Sequence, residues 1–233
     1  MPTMYERLQK ATQPERDRFM SIPLVGMLVA EPPANPEPVS AGDAAEISRI
    51  YTRFLVDSYY HVRAAAKVYA LAGSRISTDN EEIRQWLLEH AFEEYGHHRW
   101  IEDDLREMKY DVSRLLKQKP SVPCDCLVAY MYYIAGHENP MGTIGDTYVI
   151  EGLSQMFATQ LAGNIKGMLG VPETAVSYLA KHGAADQEHM HEVRDLINAH
   201  VKREEDFQAI VHVSKVEFAL YGQIVEHAAS TED

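Results

Sequence analysis

Residues 143–169 read TIGDTYVIEGLSQMFATQLAGNIKGML, roughly seven turns of helix that are apolar nearly all round. A helix greasy on every side belongs in the middle of a bundle, wrapped by other helices. Its conspicuous mid-helix acid is Glu151. A lone buried glutamate is expected to be neutral or paired, and it can also bridge metal ions.

The reading stays helical outward from there. Gly170 ends the central helix, and the loop HENPMG leads into it from a helix over about 124–136. Pro172 suits the first position of a helix over about 172–201, and a further helix covers about 204–229. Upstream, Asp43 is the predicted N-cap of a helix over about 43–72 that stops at Gly73. Thr78 and Glu81 have capping-box spacing and open a helix that runs unbroken to about 109. Strand alternation, internal repeats and a second domain are all missing, so the fold class is all-α, a bundle of long helices with short connections. Residues 1–42 form a lead segment: a short helix from Met4 to about Phe19, then Pro23 and the run EPPANPEPVSAGD, which has no regular structure and should lie outside as a strap. The domain proper is 43–233.

The chain has 233 residues, 45% hydrophobic and 24% charged, enough for one domain with a substantial core. Its net charge of -13 argues against nucleic acid or an anionic membrane as partner, because both attract basic surfaces. Two cysteines, Cys124 and Cys126, make no disulfide framework. With neither a signal peptide nor a membrane span in the pattern, the expected location is the cytoplasm.

Three helices carry chemistry on faces that should be buried. In HGAADQEH, His182, Asp186 and His189 fall within roughly 60° of arc, on the side of Leu179, Met190, Val193 and Ile197. Three ionisable groups on a buried face are costly without a compensating charge, and a metal ion is the usual solution. Gly183 within this helix hints at a neighbour approaching closely. In HAFEEYGHHRW, Glu94 centres an apolar stripe of Ile83, Leu87, Ala91, Ile101 and Leu105. His97 and His98 flank it on opposite sides, and geometry does not choose between them. His90 points to the same stripe as a spare candidate. An E-x-x-H pair offers one carboxylate and one imidazole to the same ion. Glu94, His97, Glu151, His182, Asp186 and His189 thus form a mixed oxygen and nitrogen set suited to two iron ions, with manganese the other fitting metal.

The order E-x-x-H, then a lone Glu, then H-x-x-x-D-x-x-H resembles the haem-oxygenase-like di-iron oxidases and oxygenases, which share a structural superfamily with the TenA/PqqC proteins. The resemblance covers about residues 43–229. It implies a haem-oxygenase-like bundle of about six to seven long helices and two Fe(II) ions on those six side chains, with His97 preferred over His98. It further implies a homodimer that activates O2 to oxidise a small molecule, such as a fatty acid, an amino acid or a cofactor precursor, with an external electron donor. Glu94, Glu151 and Asp186 would be the carboxylates at the reacting centre. Some relatives place the second-helix histidine seven residues after the Glu; here that position is Ile101.

Rival readings make different predictions. A ferritin-like iron protein would use Glu188 and His191, which lie on the polar side of their helix, and a glutamate deep in the first long helix, where Glu46 sits too near the start. A metal-independent TenA/PqqC-like binder or cofactor-metabolism protein needs no metal, and Cys124 or Cys126 would be the counterpart of a thiol nucleophile; both read as structural. His61 faces inward, where a haem oxygenase would keep its haem ligand, but haem would leave the six acid and imidazole ligands unexplained.

Overall fold

The computed structural model describes residues 2–30 and 39–230, and among these every regular element is a helix. Helix α1 (Met4–Met20) and the short α2 (Pro23–Leu28) precede the longest, α3 (Ala41–Arg75). Then come α4 (Glu81–Glu93), α5 (His98–Glu107), α6 (Val112–Leu115) and α7 (Val122–His137). The chain closes with α8 (Thr143–Leu169), α9 (Ser177–His200) and α10 (Glu204–Ala229). The all-α bundle expected from the apolar periodicity is the fold.

Helix α8 is the central element, packed against α9, α10 and α3. The α8–α9 contact is close because Gly183 permits it: a Cβ there would lie 2.5 Å from Thr159 Oγ1 and 2.8 Å from Thr159 N. The lead helix α1 lies against α10 and α9, burying Leu8 completely. Gln160 of α8 donates to the Val29 carbonyl, tying down the segment after α2. Residues 31–38 of the proline-rich run lie outside the described residues, but its last three residues, Ala41–Asp43, belong to α3.

Several boundaries differ from the sequence reading. The helix expected over 78–109 is two helices. Gly96, at φ +104°, breaks it, a conformation that side-chain-bearing residues rarely adopt. The turn leaves Glu94 as the C-cap of α4 and His97 as the N-cap of α5. Thr78 opens no capping box; Ser77 caps a short 3-10 turn, Thr78–Asn80, and α4 starts after it. Ser40, not Asp43, caps α3, accepting from the Asp43 backbone N–H and donating to its carboxylate. Pro172 precedes a 3-10 turn, so α9 begins only at Ser177.

The buried apolar residues fall into two clusters. Ile83, Leu87, Leu153, Val193 and Ile197 belong to one; Leu55, Ile101, Leu105, Ala158 and Leu179 belong to the other. The chain passes from one cluster to the other at the level of Glu94 along α4–α5 and of His182–Asp186 along α9, and along α8 between Leu153 and Ala158, just past Glu151. The polar side chains therefore occupy the seam between two dry blocks.

Candidate metal centre

The seam holds two triads of ligand atoms, each within 4.8 Å of one another: Glu94, His97 and His182, and His90, Glu151 and His189. In the first, His97 Nδ1 is 3.2 Å from Glu94 Oε1, and the His97 and His182 rings meet edge to face at 5.0 Å. His182 Nδ1 is 3.0 Å from the Tyr178 carbonyl. Donation there leaves Nε2 free for a metal, the usual way a protein fixes a ligating imidazole. The break at Gly96 brings His97 back over Glu94. His98 instead packs its ring against Tyr59, so of the two histidines the triad contains His97.

In the second triad, His90 Nε2 is 2.8 Å from Glu151 Oε1 and His189 Nδ1 is 3.6 Å from the same oxygen. His90 is 1% exposed and sandwiched by Trp86 and Tyr69. The sequence reading kept His90 only as a spare; its signal was its position on the Glu94 stripe, one helical turn before it. Asp186, 1% exposed, lies outside both triads and contacts His189 Nδ1 at 3.2 Å through Oδ1. Glu188, His191 and Glu46, which a ferritin-like site would need, are exposed.

The electrostatics are those of a site built around positive charge. Burial alone would lower the His90 pKa, but Glu151 and then Glu93 and Glu94 push it up to about 10. Bonds to Asp186 and Glu151 push His189 up to about 11, against burial. Burial works to raise Glu94, yet His97, His182 and His90 hold it down at about 2. Burial raises Asp186, with His189 opposing. Despite the short contacts, His90 Nδ1 and Nε2, His97 Nδ1, Glu151 Oε2 and Asp186 Oδ2 are buried without an aligned hydrogen-bond partner. Buried polar atoms are nearly always satisfied, so polar atoms that converge without aligned hydrogen bonds fit metal ions at these two places.

Glu94, Glu151, His182 and Asp186 also line one cavity, whose remaining wall is mostly apolar, including Ile50, Phe54, Val62, Leu153, Phe157 and Ile165. Cys124 is fully buried with its thiol bonded to the Asp57 carbonyl, and burial pushes its pKa well up. It is therefore a poor nucleophile. Cys126 is exposed on the far side of that turn. No described helix is long and apolar enough to cross a membrane.

A family model described as iron-containing redox enzyme matches residues 52–221. Three solved structures share the fold. A heme oxygenase-like domain of unknown function from Shewanella denitrificans is 21% identical, with TM-score 0.81 over 98% of this chain and 92% of that one. A TenA homolog from Pseudomonas syringae is 12% identical, with TM-score 0.73 over 97% and 93%. Heme oxygenase-1 from the cyanobacterium Synechocystis, solved in complex with heme, is 12% identical, with TM-score 0.71 over 97% and 92%. No curated protein matches the sequence significantly.

Proposed function

The chain belongs to the family of iron-containing redox enzymes, and from that premise we propose that it is a non-haem di-iron oxidase or oxygenase acting with O2 on an apolar small molecule. The observation that carries this reading is the pair of carboxylate–imidazole triads opening on one greasy cavity. Glu94, His97 and His182 would hold one iron, and His90, Glu151 and His189 the other. Asp186 Oδ1 lies 3.2 Å from the same His189 nitrogen that faces Glu151, so it would add a further carboxylate to the second iron's ligands. Two Fe(II) ions bound there would supply the electrons and open coordination positions that dioxygen chemistry needs, with an external donor to restore them.

The chain's own part is placement and exclusion of water. The apolar wall excludes bulk water and favours an aliphatic group lying against Phe54, Val62 and Phe157. Glu94 and Glu151 face that same space, so a bond held there is presented to the ligand side chains and not to solvent. A fatty acid is the first substrate to test; amino acids with long apolar side chains and cofactor precursors follow.

Haem is disfavoured by His61, whose Nε2 faces Asp146 and Glu217. The likeness to a TenA homolog supports a second reading, a binder that works without metal. Anaerobic Fe(II) titration followed by oxygen decides between them. The oxygenase reading expects iron to bind in the triads and oxygen uptake to require both iron and a substrate. Ligand binding that is undiminished in metal-free protein and in Glu94→Ala, with no oxygen uptake, would establish the binder.

A further inference from the structure

A third group of ligand atoms lies apart from the two triads. His61 of α3, Asp146 of α8 and Glu217 of α10 bring one atom each within 4.8 Å of the others. His61 Nε2 is 3.5 Å from Asp146 Oδ1 and 4.0 Å from Glu217 Oε1. The other Asp146 oxygen accepts a 2.6 Å hydrogen bond from the Tyr69 hydroxyl. Glu217 is 0% exposed and Asp146 2%. Asp146 Oδ1 and both Glu217 oxygens are buried with no hydrogen-bond partner among the described residues.

Two carboxylates sealed in an apolar interior need compensating charge, and the basic group beside them is one imidazole. A divalent cation balances the pair completely and leaves His61 neutral, the form in which it ligates. One nitrogen and up to four carboxylate oxygens suit a first-row ion such as manganese(II) or iron(II). We propose that His61, Asp146 and Glu217 form a third, auxiliary site for a divalent transition-metal ion. The site borders the same cavity, since His61 and Tyr69 help to line it. Tyr69 joins it to the second triad: its hydroxyl holds Asp146, and its ring packs 4.8 Å from that of His90. Burial, with Asp146 beside it, drives the Glu217 carboxyl well above the usual range.

The assignment does not depend on the oxygenase reading, and crystals soaked in manganese(II) separate the two. An anomalous peak enclosed by His61, Asp146 and Glu217 is expected, whatever the occupancy near Glu94 and Glu151. Glu217→Gln and Asp146→Asn should each lose that peak and lower the bound manganese by one ion per chain, while peaks at the other triads remain. Saturated wild-type crystals with no peak there would overturn the assignment, showing that protons or a ligand's ammonium group balance the acids. A peak that survives Glu217→Gln would overturn it equally. The wild-type crystals decide the matter even if a variant fails to fold.

Discussion

His90 Nε2 of α4 stands 2.8 Å from Glu151 Oε1 of α8, and this contact defines half of the proposed metal centre. His90 is stacked on Trp86, with ring centroids 4.7 Å apart and planes 11° from parallel. A phenyl ring can keep that stacking while removing both nitrogens. His90→Phe is therefore expected to fold and to bind one iron fewer per chain, the Glu94 triad staying loaded. Iron content measured after anaerobic loading checks this, and an unchanged content would remove His90 from the ligand set.

Asp186 is the proposed further carboxylate at the second triad, beside His189. Asp186→Asn keeps the shape but exchanges a carboxylate for a neutral amide, so iron affinity at the second triad should fall about tenfold or more. Competition titration with a chelator reads that loss. Asp186→Asn binding as tightly as the wild type would remove Asp186 from the ligand set.

Much of this was legible because helices report their faces. Glu94, Glu151, His182, Asp186 and His189 stood out as ionisable groups on apolar stripes, and all five reach the seam. Periodicity cannot choose among inward groups one turn apart, which is why His90 was kept only as a spare on the Glu94 stripe. Nor does it register a break that preserves the stripe: Ala91, Ile101 and Leu105 are buried whether or not the helix runs through Gly96. His61, Asp146 and Glu217 come from three helices with no shared spacing, so only packing unites them. Gly183 was readable, since a glycine in mid-helix needs a neighbour to justify it, and Thr159 is that neighbour.

Gly183→Ala tests the close approach. Alanine favours a helix by about 1 kcal/mol over glycine, but its Cβ would press on Thr159 N at 2.8 Å, a backbone atom that cannot swing aside. Overpacking of this kind costs about 1–3 kcal/mol. Net destabilisation is expected in urea unfolding, together with weaker iron binding, because His182 and Asp186 flank the position. A stabilised variant would show that α8 and α9 separate readily.

Ala65 lines the cavity from α3, one turn beyond His61. Ala65→Phe should fill space that an aliphatic substrate would use while leaving every triad residue intact. Binding of a long-chain fatty acid is expected to weaken by at least about tenfold, a loss of about 1.4 kcal/mol, with iron content unchanged. Calorimetry and metal analysis on the same sample separate the two effects. Undiminished binding would place the substrate elsewhere.

The raised imidazoles predict how metal and pH interact. In the folded, metal-free chain His90 is held up to about 10 and His189 to about 11, from an ordinary 6.5. The groups facing them are Glu93, Glu94, Glu151 and Asp186 and, 5.3 Å apart, each other's rings, with the rings of Trp86 and Tyr69 beside His90. Above an ordinary histidine pKa the folded state keeps protons that the unfolded chain has released. Their stabilisation is therefore complete below about 6.5 and is lost as pH rises through about 10 to 11. Metal ions compete with the same protons for the same nitrogens, so binding releases protons and strengthens with pH. The melting temperature of metal-free protein should fall between about pH 7 and about pH 9. That of the iron(II)-loaded protein, kept anaerobic, should fall less, and the gap between them should widen. A gap that stays constant or narrows would mean that His90 and His189 do not give up protons to the metal, and the second triad would lose its standing as a ligand set.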